Sequence, residues 1–234
     1  MLNKLLLIRF LTASLSIFVI AGCLEVQAQE STFEESALRA LINDATGFLK
    51  SNSHRVTTRQ TFYENGSEKP VRTETTTRKL VPPDSEHAIT EKQSADGVSR
   101  SESIRIGNVK YVKTTAGVWE PVTGGYGTGS GIGSKDLDGP ATSGVRSETT
   151  EKRIFRQGEI VNGQSTTHYE TIKTMNAFLP DRTVTVVWRN EQWFNPEMRL
   201  VKSRHWVEIV GKSISETIHE YEYDPNIKVE APVK

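Results

Sequence analysis

Thr32-Phe-Glu-Glu-Ser-Ala-Leu-Arg-Ala-Leu-Ile-Asn-Asp-Ala-Thr-Gly-Phe-Leu49 and the following Lys50-Ser-Asn-Ser-His-Arg-Val-Thr-Thr58 mark the point where the chain changes its hydrophobic period. In the first stretch Phe33, Ala37, Leu38, Leu41, Ile42, Ala45, Phe48 and Leu49 recur at three and four residues, the signature of a helix with one buried face. Thr32 and Glu35 are spaced as a capping box at its start. Asn52 and Ser53 stop it, and from there the pattern alternates for nearly the whole remaining length. That pattern predicts β-strands.

Downstream, strands are predicted at about Val56–Glu64, Val71–Leu80, His87–Gln93, Val98–Ile106, Lys110–Lys113, Arg146–Arg156, Thr166–Met175, Thr183–Trp188, Leu200–Val210 and Ser213–Tyr223. Asn65-Gly66 is a strong hairpin signal because both residues tolerate positive φ. Asp96-Gly97, Gly107-Asn108, Asn162-Gly163 and Val210-Gly211 are of the same kind, so the strands read as an antiparallel meander. Most alternate a polar with a moderately apolar face, as in Val201, Val207 and Ile209 against Lys202, Arg204 and Glu208. One helix cannot cover so many strands. The sheet is therefore expected to curl toward closure: an α+β, mainly β fold, a large curved antiparallel sheet or incomplete barrel with the N-terminal helix over its concave face.

Upstream of the helix, Lys4 and Arg9 precede a nearly uncharged run from Phe10 to Gly22, which reads as a secretory signal peptide. The run is interrupted by Thr12, Ser14 and Ser16 and is too short for a transmembrane helix, which needs roughly 20 apolar residues. Two processing sites compete. Val26-Gln27-Ala28 has the small residues of a general signal peptidase site, giving a signal over 1–28. Ile20-Ala-Gly-Cys23 resembles a bacterial lipobox, which gives a signal over 1–22 and makes Cys23 a lipid anchor. The chain is thus expected to be exported, either to the periplasm or tethered to a membrane surface through Cys23 acylation.

Cys23 is the sole cysteine of the 234-residue chain, so an internal disulfide is impossible. The roughly 205 residues beyond the signal suffice for one large domain held by its core and strand pairing, expected over 29–234. Charge is balanced at 29 basic and 29 acidic residues, and removal of the signal leaves the remainder slightly acidic. Nucleic acid is not an expected partner.

Between Thr123 and Gly144 lies Gly124-Gly-Tyr-Gly-Thr-Gly-Ser-Gly-Ile-Gly133, followed by Ser134-Lys-Asp-Leu-Asp-Gly-Pro140. It lacks the Lys-Ser/Thr and the helix of a phosphate-binding loop and reads as a flexible Gly-rich insertion over 123–144. No catalytic constellation accompanies it. The five histidines, His54, His87, His168, His205 and His219, fall on separate elements without metal-ligand spacing and read as solvated strand positions, so no metal or cofactor is expected. Gly127-Thr-Gly-Ser130-Gly contains part of a nucleophile elbow, but no helix follows it. Glu34 with Glu35 belongs to the helix cap, and Glu220 with Glu222 to a strand face.

What remains is apolar and aromatic. The sheet outgrows its helix, and Phe33, Leu38, Leu41 and Phe48 with Trp119, Trp188 and Trp206 are the candidates to line a hollow. The order of export signal, one amphipathic helix and hairpins, with Ile104-Arg-Ile-Gly107, Tyr111-Val-Lys113, Gly117-Val-Trp119, Leu179-Pro-Asp181, Pro196-Glu-Met-Arg-Leu200 and the closing Tyr221–Pro232, resembles the periplasmic lipoprotein-carrier superfamily of LolA/LolB and LppX-like proteins. The resemblance implies an incomplete antiparallel barrel whose helices cover a cavity for acyl chains. No arginine here matches that family's lid-locking position, and the receptor type's protruding apolar loop has no counterpart in the polar Gly-rich insertion. The expectation is a non-enzymatic envelope protein whose partner is a lipid or acylated protein. Its rival is a structural or interaction module of the envelope with no bound ligand.

Overall fold

The computed structural model describes residues 33–64, 69–122, 146–209 and 212–232. The signal, Cys23, Thr32, the Asn65-Gly66 and Val210-Gly211 turns and the Gly-rich insertion lie outside the described residues. One helix, α1 (Glu35–Ser51), is followed by eleven strands: β1 (His54–Tyr63), β2 (Pro70–Val81), β3 (Ser85–Ser94), β4 (Gly97–Ile106), β5 (Val109–Lys113), β6 (Trp119–Val122), β7 (Arg146–Val161), β8 (Gln164–Phe178), β9 (Thr183–Phe194), β10 (Leu200–Ile209) and β11 (Lys212–Tyr223). All are antiparallel members of one sheet in the order β6-β5-β4-β3-β2-β1-β11-β10-β9-β8-β7.

That order is a meander with one seam. Each strand pairs with its chain neighbour, and β11 returns to pair with β1, with His54 facing Tyr223 and Phe62 facing Ser215. The exception is β6 and β7, which are consecutive in the chain and form the two edges of the sheet. The sheet is therefore not closed into a barrel.

β6 was not anticipated, since Pro121 withholds a ladder donor and marks an edge strand. β7, β8 and β9 run longer than their predicted lengths. In β7 the alternation breaks at a bulge between Gln157 and Glu159, where Gly158 takes a φ of 84°. β9 continues through the polar Arg189-Asn-Glu-Gln192 because those side chains find partners on both faces of the sheet.

Glu34 is the N-cap of α1, and its side chain makes no capping hydrogen bond. Glu35, whose expected capping-box partner Thr32 lies outside the described residues, opens the helix. Its carboxylate accepts from Arg39 one turn on, at 2.6 Å, and from Arg153 of β7 at 2.9 Å. The first turn is thereby tied to the sheet edge. At the other end, Phe48 meets Tyr223 of β11 edge-on at 5.2 Å, and the Arg199 guanidinium lies 4.5 Å over the Phe48 ring.

Helix rise and strand spacing account for this crossing. From Glu35 to Phe48 the helix advances about 20 Å, and the four steps from β7 to β11 cover about 19 Å. A helix of 17 residues thus bridges β7–β11, leaving β2–β6 beyond its reach. Beneath it, Leu38 and Ala45 pack with Tyr169 and Phe194, flanked by Phe33, Leu41, Ile42, Phe155 and Leu200. Phe194 is the largest side chain in full burial.

Candidate functional site

Strand register determines which side chains share the face under α1. Trp188 of β9 faces Lys173 of β8, Lys173 faces Glu151 of β7, and Asn190 of β9 faces His205 of β10. These side chains alternate with those of the opposite face, so they point toward the helix with Thr171 and Gln192. Between them and Phe33, just ahead of α1, together with Glu35, Leu38, Arg39 and Ile42 of the helix, lies a cleft of about 550 Å³.

The cleft is amphipathic. Phe33, Leu38, Ile42 and Trp188 supply apolar surface, while Glu35, Arg39, Glu151, Lys173, Asn190, Gln192 and His205 supply polar groups. Its charges are partly spent on one another. Arg39 bonds Glu35 at 2.6 Å, and Arg153 bridges Glu35 at 2.9 Å and Glu151 at 2.7 Å. His205 Nδ1 is 2.6 Å from Asn190 Oδ1 and so donates to it.

Of the residues anticipated from sequence, Phe33, Leu38 and Trp188 come together at this cleft. Leu41 packs against the neighbouring core, and Phe48 lies at the far end of α1 against Tyr223 and Arg199. Trp206 opposes Arg189 rather than Trp188, which turns it to the other face of the sheet. There the guanidiniums of Arg189 and Arg204 cover it at 5.2 and 5.3 Å. Trp119 sits on the edge strand β6 with the Lys113 ammonium 5.4 Å from its ring. Neither is brought to the cleft. Lys173, Glu151, Asn190, Gln192 and His205 had no individual signal in the sequence; only the cross-strand pairing of β7–β10 assembles them.

The face away from the helix carries a second cluster. His168, expected at a solvated position, is 2% exposed there, and His54, also expected at one, is 6% exposed on the helix side opposite Tyr223. His168 stacks on Trp193 with ring centroids 4.3 Å apart and donates from Nδ1 to Glu159 at 3.0 Å. The Trp193 indole donates to the same carboxylate at 2.7 Å, and the β7 bulge places Glu159 within their reach. Burial by itself would raise the Glu159 carboxyl, but these two hydrogen bonds and the charges of His168 and Arg156 outweigh it and hold it below the usual range. Glu170, 4% exposed, lies 2.8 Å from Arg156 and 3.2 Å from Arg189.

Arg204 bridges Glu191 at 3.2 Å and Glu216 at 2.6 Å. Burial pulls its guanidinium down, but the two carboxylates raise it further. The cluster reads as a structural ionic belt across β7–β11 in which each buried charge meets an opposite one. Among the described residues no group of three or more His, Cys, Asp or Glu side chains is disposed to hold a metal ion. Nor is any helix among them long and apolar enough to cross a membrane.

No family model matches the chain, and no curated protein matches it. Two solved structures are similar at low superposition scores. One is a domain from Vibrio parahaemolyticus described as an outer membrane lipoprotein-sorting protein, with 11% identity, a TM-score of 0.27, and coverage of 81% of this chain and 93% of that one. The other is described as an exported protein with a YmcC-like fold from Bacteroides fragilis, with 10% identity, a TM-score of 0.24, and coverage of 73% and 95%.

Proposed function

We propose that this chain is an exported cell-envelope protein that acts without catalysis and holds a single amphiphile, a lipid or the acyl chain of an acylated partner, in the cleft between α1 and the face of β7–β10. The observation that carries the reading is the cleft itself. Its volume of about 550 Å³ falls within the roughly 300–1,000 Å³ of small-molecule sites, and apolar Phe33, Leu38, Ile42 and Trp188 stand beside a polar rim. An acyl chain would lie against the former and a headgroup against the latter. On the same side of the sheet the residues of β2–β4, among them Glu74, Thr76, Thr90, Lys92, Ser101 and Ser103, are mostly polar, with Leu80 and Ala88 as exceptions, so the apolar site favoured here is the ground under α1. Export rests on the signal-like residues 1–22, and membrane tethering would come from acylation of Cys23.

Native mass spectrometry of the protein purified from its own envelope tests this, with denaturing mass analysis of the same sample. A co-purifying lipid lost on denaturation is the expected result, and a diacyl or triacyl mass on Cys23 establishes the anchor. A bare chain that also fails to take up any added amphiphile would sink the carrier reading. The interaction module would then be favoured by the outer edge of β7, whose residues 146–152 are all exposed.

A further inference from the structure

We infer that the cleft selects amphiphiles with an anionic headgroup, a carboxylate or a phosphate, and that Lys173 is the residue that recognises it. This rests on the amphiphile-binding reading above and specifies its ligand class.

The argument is one of charge accounting inside the cleft. Directly across the strand pair from Lys173 stands Glu151, its natural ion-pair partner. That carboxylate turns instead to Arg153 at 2.7 Å, and the same guanidinium also holds Glu35 of the helix at 2.9 Å. Glu35 takes Arg39 as well. Two carboxylates and two guanidiniums thus satisfy each other and fasten the helix to β7. Lys173 is left, among the described residues, as a cleft-lining cation without an ion pair or hydrogen bond.

Its other cross-strand neighbour is Trp188, so the ammonium stands at the boundary between apolar wall and polar rim. An acyl chain lying on Trp188, Leu38 and Phe33 would bring its headgroup to this position. A negative headgroup would supply the counter-charge that Glu151 does not, whereas a cationic one would meet a like charge. Lysine suits the task as a point charge that accepts either carboxylate or phosphate geometry.

The test measures binding of four probes to the full mature chain by titration calorimetry at low salt: palmitate, lysophosphatidylglycerol, monopalmitoylglycerol and hexadecyltrimethylammonium. Each is used below its micellar concentration. At least one anionic probe is expected to bind about tenfold or more tightly than the neutral monoacylglycerol, with the cationic probe weakest. Preference for palmitate alone marks a fatty-acid carboxylate as the source, and preference for lysophosphatidylglycerol alone marks a phospholipid phosphate. Lys173→Gln should abolish the preference by weakening the anionic probes far more than the neutral one, Lys173→Glu should reverse it, and Lys173→Arg should restore it. Equal affinity for neutral and anionic probes, or a preference that survives Lys173→Gln in a folded variant, overturns the assignment of Lys173 but leaves the amphiphile site standing. Failure of all four probes overturns both.

Discussion

Phe194 and Glu159 show how single side chains hold opposite faces of this sheet. Phe194 is 0% exposed and meets Tyr169 edge-on at 5.8 Å beneath α1. Its removal leaves a void that the surrounding strands cannot close, so Phe194→Ala should cost about 3–5 kcal/mol, read as a lowered urea midpoint at unchanged slope. Glu159 gathers the Trp193 indole and His168 into one bonded group, and its carboxyl is held below the usual carboxylate range. The unfolded chain therefore takes up this proton first on acidification. The stability that Glu159 contributes is present above the unfolded value and is lost as pH falls through the folded one. Urea midpoints followed down through the carboxylate range should show Glu159→Gln with a flatter acid decline than the parent protein; an unchanged decline would mean the carboxylate is not bonded as described.

Elements are positioned here by turns and by a few crossing contacts. Asn162 and Gly163 take φ values of 51° and 77°, the paired left-handed conformation of a two-residue hairpin turn, and they set the register of the long β7–β8 pair. Gly163 has open space where a Cβ would stand, so the cost of Gly163→Ala comes from the backbone alone, about 1–2 kcal/mol in thermal or urea unfolding. A negligible change would show that the turn relaxes to another type. The helix was legible from apolar spacing, and its buried positions Leu38 and Ala45 lie on the face that spacing identified. What sequence spacing did not show is the tertiary contact of the Glu35 carboxylate with Arg153, 118 positions away in the chain. Local propensity also missed β6 and shortened β9, since neither Pro121 nor the run Arg189–Gln192 looks like strand until its neighbours are known.

For the whole molecule, coverage is uneven. α1 shelters β7–β11 on one face, while among the described residues no helix lies over β2–β6, which end in the four-residue edge strand Trp119–Val122. Opening free energies should follow that division. In native-state hydrogen exchange we expect the inner amides of β8 and β9 to be slowest, and β5, β6 and the exposed first half of β7 to exchange far sooner. Uniform protection across the sheet would contradict a molecule whose core sits under one helix. The seam between β6 and β7 belongs to the same scale, because it follows from which strands end up as neighbours rather than from any property of either strand.

Sequence by itself determined the local terms: one amphipathic helix, a long run of alternating strands, turn residues able to take positive φ, and an apolar face with Phe33 and Leu38 on it. These depend on periodicity and intrinsic backbone preference, which a chain carries in neighbouring residues. Tertiary structure alone decided the register that aligns Glu151, Lys173 and Trp188 across three strands, the turning of Trp206 away from the cleft, and the burial of His168 between Glu159 and Glu191. Each of these depends on a pairing between strands, and a shift of one residue in register sends every side chain of a strand to the other face.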